Sequence, residues 1–197
     1  MQATPTDPGA ASAASEGASS IGTSAPPAPG AGRYLFDISG IDRTGMMITK
    51  AQVESLIPHR GHMSMLDGLV WHNPDCTQGM ARKRVRHDEF WVEGHFPGKP
   101  LFPGVLQIET AAQLACYLFV VRKGRPMVAV FLRIEDAAFR SAVVPGDDLY
   151  VLCSEIKRQK RRFVSNVQGL VGDRIAFDAV LHGMSIKIGR ASCRERV

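Results

Sequence analysis

The chain has 197 residues, 45% of them hydrophobic and 22% charged, with a net charge of +5. That length fits one domain with tails, and the composition excludes a wholly disordered or collagen-like chain. Cys76, Cys116, Cys153 and Cys193 form no C-x-x-C pair, which argues against a disulfide framework or cysteine-rich zinc site and fits a reducing cytoplasm.

Both ends are set aside before the fold is read. Residues 1–32 are almost all Ala, Ser, Gly, Pro and Thr, too poor in large apolar groups to offset the entropy of ordering. No basic start precedes an apolar run, so a secretory signal is not expected. Residues 1–46 read as a disordered low-complexity tail, or as an over-extended start with Met46 or Met47 the true one. Residues 188–197 resemble a translated sequencing adapter and read as an artefact. The ends carry −2 and +2 and cancel, so the positive excess belongs to the domain expected over 47–187.

Within it, Thr49 is a plausible N-cap for a short helix, Lys50 to Leu56, ended by Pro58. Residues 65–73 read as a strand, with 77–87 its hairpin partner after a turn at Asn73-Pro74-Asp75. Six prolines and glycines over 88–104 leave room for no regular element. From Val105 to about Arg122 apolar residues cover nearly every side of a helix, so it is buried all round or spans a membrane. Gln107, Glu109, Thr110 and Gln113 argue against the membrane.

Only strand signals follow: Met127–Ile134, Ala138–Val144, Leu149–Ile156, Arg162–Val171 and Arg174–Ile186, with Gly172-Asp173 a hairpin turn. A greasy helix must be enclosed, and one antiparallel sheet wrapped around it does that. The expected fold is α+β, with sequential hairpins favouring antiparallel pairing.

The densest chemistry lies between Gly94 and Glu109. His95 sits in a loop stiffened by prolines, which can hold its ring at low entropic cost. Gly104 opens the long helix, where free N–H groups can polarise a carbonyl oxygen. Glu109 sits on the same helix among apolar neighbours, surroundings in which a carboxyl can serve as an acid. An imidazole base, an acid and an oxyanion donor suit removal of a proton beside a thioester carbonyl and loss of a β-hydroxyl.

The run His95-Phe96-Pro97-Gly98-Lys99-Pro100, Pro103-Gly104-Val105-Leu106, Glu109, Ala112-Gln113 resembles the signature of FabZ-type β-hydroxyacyl-ACP dehydratases, hotdog-fold enzymes of fatty acid synthesis. Ile57-Pro58-His59-Arg60 with Asp67, and Phe139 to Asp147, resemble two further blocks of that family. The resemblance spans about residues 50–187. It implies a hotdog fold, an antiparallel sheet around one long central helix, and dehydration of a (3R)-3-hydroxyacyl-ACP to the trans-2-enoyl-ACP. His95 would be the base and Glu109 the acid. The Gly104 N–H would hold the thioester oxygen, with Phe96, Pro103 and Val105 beside it at the substrate. No cofactor or metal is implied. A homodimer, or a larger oligomer of dimers, would bring His95 of one protomer to Glu109 of the other. Gly61-His62-Met63-Ser64, Gly68 and Thr110 depart from the family pattern.

Two alternatives share the fold: a hotdog acyl-ACP thioesterase, and a non-catalytic acyl-carrier-binding module. His59 and His62 read as structural rather than as metal ligands. The basic run Lys157 to Arg162 reads as a solvated face or as a docking surface for an acidic carrier protein. It is too short, and too poor in aromatic residues, to suggest nucleic acid.

Overall fold

A computed structural model describes residues 33–186. The proposed adapter remnant at 188–197 and the low-complexity stretch 1–32 lie outside the described residues. The elements in chain order are β1 (Ile48–Thr49), α1 (Lys50–Leu56), a 3-10 turn (Gly61–Met63), β2 (Gly68–His72), β3 (Gln78–Arg84), α2 (Gly104–Val121), β4 (Val128–Phe139), β5 (Asp148–Arg158), β6 (Arg162–Val171) and β7 (Arg174–Ile186). The strands form one antiparallel sheet in the order β1-β2-β3-β5-β6-β7-β4.

α1 begins as its capping residue dictates. Thr49 Oγ1 accepts from the Gln52 N–H, and Gln52 Oε1 accepts from the Thr49 N–H at 2.8 Å, a reciprocal capping box. α2 is buried from Gln107 to Val120 on nearly all sides, and β3, β5, β6 and β7 pack on it. Leu114, Phe119, Leu149, Val151 and Phe177 join the sheet to the helix in one core. This is the hotdog architecture, and the only helix among the described residues long and apolar enough to cross a membrane is this core helix.

Two local expectations change. The strands expected at 127–134 and 138–144 are one strand, β4, because β7 supplies partners along its length. A bulge between Glu135 and Ala138, with Asp136 at φ +49°, absorbs the mismatch. Residues 140–144 leave the sheet instead: the Arg140 N–H bonds to Ala176 O, and Val143 O accepts from Phe102. Gly68 stands where a side chain could not. A Cβ there would lie 2.4 Å from Ile48 O, so the crossing of β1 demands glycine.

Residues 33–46, grouped with the tail in the sequence reading, lie against the outer face of the sheet. Tyr34, Leu35, Phe36, Ile38, Ile41 and Met46 pack on a second apolar cluster of Val70, Met80, Leu152 and Leu170. Leu35 N–H donates to Gln168 Oε1, and Tyr150 Oη donates to Arg43 O. This segment has aromatic and β-branched side chains to bury, and the stretch before it has almost none.

Candidate active site

The loop between β3 and α2 is anchored by a buried ion pair. Lys83 Nζ donates to both Glu89 oxygens at 3.0 Å, and both side chains are under a tenth exposed. Trp91 Nε1 donates to Glu89 Oε2, and its ring packs on Phe102 with centroids 5.3 Å apart. Burial alone would push the Glu89 carboxyl up. The Arg86 N–H, the Lys83 ammonium and the Trp91 indole together outweigh that and hold it below the usual range. Trp91 O in turn accepts from the His95 N–H at 2.9 Å.

His95 is thereby fixed at its backbone, and its ring is fixed separately. Nδ1 lies 2.8 Å from Leu101 O. A carbonyl oxygen only accepts, so Nδ1 carries the proton in the neutral ring and Nε2 keeps its lone pair, the tautomer a base requires. Phe96 is exposed and stacks on the imidazole at 4.2 Å. His95 shares an open hollow of ≈ 570 Å³ with Pro103, Gly104, Val105 and Phe139.

The N-terminus of α2 opens into that hollow. Leu106 and Gln107 are the first helix residues to find an acceptor, both at Pro103 O, so the N–H groups of Gly104 and Val105 precede the bonded ladder. A Cβ on Gly104 would lie 2.7 Å from Phe139 Cζ; glycine lets that ring rest against the helix end. Pro103 is buried and Val105 is 75% exposed. Gln107 lines the same hollow; its Nε2 donates to Phe102 O, while Oε1 is buried with no partner among the described residues.

Glu109 belongs to a different cavity. It and His59 stand in a ≈ 210 Å³ space whose remaining wall is apolar apart from His182, with Ala112, Ala115, Cys116, Phe131 and Phe163 among its lining. Gln113 Nε2 donates to Glu109 Oε1 at 2.7 Å, and to Met63 O. Gln113 Oε1 accepts from the Met65 N–H. The glutamine thus ties the carboxyl to the segment after the 3-10 turn. His59 Nε2 lies 3.4 Å from Glu109 Oε1. Burial holds the His59 pKa below its ordinary value, against the pull of Glu109 and with help from Arg60.

Within one protomer, therefore, His95 and Glu109 line separate spaces. Sequence reasoning picked both but gave His59, Gln107 and Gln113 no part in the site. Gln113 was legible only as a motif position, and His59 could be tied to Glu109 only once α1 was packed on α2. Among the described residues no group of three His, Cys, Asp or Glu side chains could hold a metal ion.

A FabA-like domain model matches residues 57–180. A 3-hydroxyacyl-[acyl-carrier-protein] dehydratase FabZ from Granulibacter bethesdensis is 33% identical over 79% of this chain and 88% of its own length. Its counterpart from Acetivibrio thermocellus is 33% identical over 64% of this chain and 88% of its own. The bifunctional enzyme LpxC/FabZ of Porphyromonas gingivalis is 38% identical over 65% of this chain; this chain spans only 28% of it. Among solved structures, the dehydratase heterocomplex ApeI:P of Xenorhabdus doucetiae superposes with a TM-score of 0.60 at 14% identity, over 68% of this chain and 91% of that one, a likeness of fold. The chain belongs to the FabA-like family, and its relatives within that family are the FabZ 3-hydroxyacyl-[acyl-carrier-protein] dehydratases.

Proposed function

We propose that this protein is a cytoplasmic 3-hydroxyacyl-[acyl-carrier-protein] dehydratase that converts a (3R)-3-hydroxyacyl thioester to the trans-2-enoyl thioester in acyl-chain biosynthesis. The observation that carries the reading is the pairing of a base with a fixed tautomer, His95, and a carboxyl held by Gln113 at an apolar cavity, Glu109. His95 Nε2 takes the proton from C2. The electron pair moves toward the thioester carbonyl, whose oxygen the Gly104 N–H stabilises as charge develops. Glu109 gives its proton through Oε2 to the 3-hydroxyl, the C3–O bond breaks, and water leaves. The proton on His95 then returns to the carboxylate through solvent. The elimination is redox-neutral and calls for no electron carrier.

A homodimer completes the site. β4 is an edge strand of 12 residues whose outer side has no strand partner among the described residues, with Phe131, Leu132 and Ile134 each more than 40% exposed. Long apolar edges of this kind are normally covered. A second copy on β4 supplies the His95 that Glu109 lacks in its own protomer. The basic hairpin of Lys157, Arg158, Lys160, Arg161 and Arg162 suits the acidic surface of an acyl carrier protein.

The test is incubation of the full chain with a short 3-hydroxyacyl carrier protein, read by mass spectrometry. Loss of one water with the thioester intact is expected. Release of free carrier thiol in its place would favour the thioesterase, and tight binding with no product the carrier-binding module; either would end the dehydratase reading.

A further inference from the structure

The cavity at Glu109 has an end inside the protomer. Its floor on α2 is Ala112, Ala115 and Cys116, small residues at helical spacing that leave a trough about 10 Å long from Glu109. At the far end the Phe163 ring closes it. That ring packs on Phe119 with centroids 4.9 Å apart and sits close against the backbone of β7 at Gly183. A Cβ built on Gly183 would be only 2.2 Å from Phe163 Cζ. Beyond it the surface is charged: Lys123 Nζ and Arg158 Cζ stand 5.3 and 5.7 Å from the centre of the Phe119 ring. An apolar tail that reached Phe163 would meet first a packed aromatic ring and then two cations.

We propose that Phe163 sets the length of acyl chain this protein accepts, confining it to short substrates. The proposal rests on the dehydratase reading. An apolar cavity of about 150 Å³ takes one benzene-sized group, so the ≈ 210 Å³ here takes roughly eight carbons, counting those that react. Gly183 has a matching part, since any side chain there would displace the ring. Phe163 touches no reacting atom; it acts on specificity alone.

The experiment measures kcat/KM of the full chain on 3-hydroxyacyl carrier proteins with four, eight, twelve and sixteen carbons. The wild type is expected to fall off steeply beyond about eight carbons. Phe163→Ala should raise the twelve-to-four-carbon ratio by about tenfold or more, the scale of methylene discrimination in an apolar pocket, and Phe163→Leu by less. A ratio taken within one preparation is insensitive to the fraction that folds. If the alanine variant does not fold, the leucine variant and the wild-type profile decide. Comparable wild-type turnover at four and sixteen carbons, or a ratio unmoved in the folded variants, overturns the length limit while leaving the dehydratase intact. No enoyl product at any length removes both.

Discussion

His59 Nε2 and Glu109 Oε1 stand 3.4 Å apart, across the gap between the end of α1 and the buried face of α2. With Gln113 donating to the same oxygen, two side chains hold one edge of the carboxyl and leave Oε2 for substrate. Glu109→Gln keeps the shape and an acceptor for Gln113 but has no proton of comparable acidity to give. Turnover should fall by roughly 10²–10⁴ with an unchanged thermal melt. Near-normal turnover would take Glu109 out of the chemistry.

The separation of His95 and Glu109 into different hollows of one protomer makes a second prediction. Neither His95→Ala nor Glu109→Gln homodimers should be active. In a two-fold dimer each site draws one residue from each copy. Mixing the two inactive variants after reversible dissociation should then restore about a quarter of wild-type activity. A mixture as inactive as its parts would place both groups in one protomer.

Much of this was legible in the sequence where local rules act. Thr49 marked the α1 start; Gly172-Asp173 marked the β6–β7 turn; unbroken apolar character marked α2 as a core helix. The errors fall where distant partners decide. Residues 138–144 carry strand-like side chains, but only the pairing with β7 shows that the ladder ends at Phe139. Residues 33–46 look like tail by neighbourhood, yet Ile38 is packed because Val70, Met80 and Leu152 happen to face outward from three other strands. The cavity behind Glu109 has no sequence signature at all, since its wall comes from α2, β4, β6 and β7.

The ion pair beneath the His95 loop should be costly to break on one side. Lys83 is 4% exposed, so Glu89→Gln leaves a buried ammonium without its countercharge. A loss of about 3–5 kcal/mol is expected, seen as a drop in chemical-denaturation midpoint. The wild-type contribution has a pH signature. The Glu89 pKa is lowered on folding, so its stabilisation is present above the unfolded carboxylate pKa and is lost as pH falls through the folded one. A Glu89→Gln protein as stable as wild type at pH 7 would show that the pair does not anchor the loop.

The segment 33–46 should behave as part of the domain. Removing residues 1–46 uncovers Val70, Met80, Leu152 and Leu170 and discards the burial of Ile38, the last alone worth about 2 kcal/mol. The shortened chain should melt lower and self-associate, read by calorimetry and light scattering. Ile38→Asp in the full chain tests the same contact without changing length. Removal of residues 1–32, almost all Ala, Ser, Gly, Pro and Thr, should alter neither property.

His59 provides the acid-side prediction. Burial holds its pKa below the ordinary value near 6.5, so the unfolded chain binds this proton more readily than the folded one. Stability contributed by the neutral ring is therefore present above that value and declines as pH falls below it. His59→Gln, which cannot titrate, should flatten the fall in denaturation midpoint as pH drops below about 6.5. A stability profile that stays in place would mean that His59 charges without penalty in the folded protein.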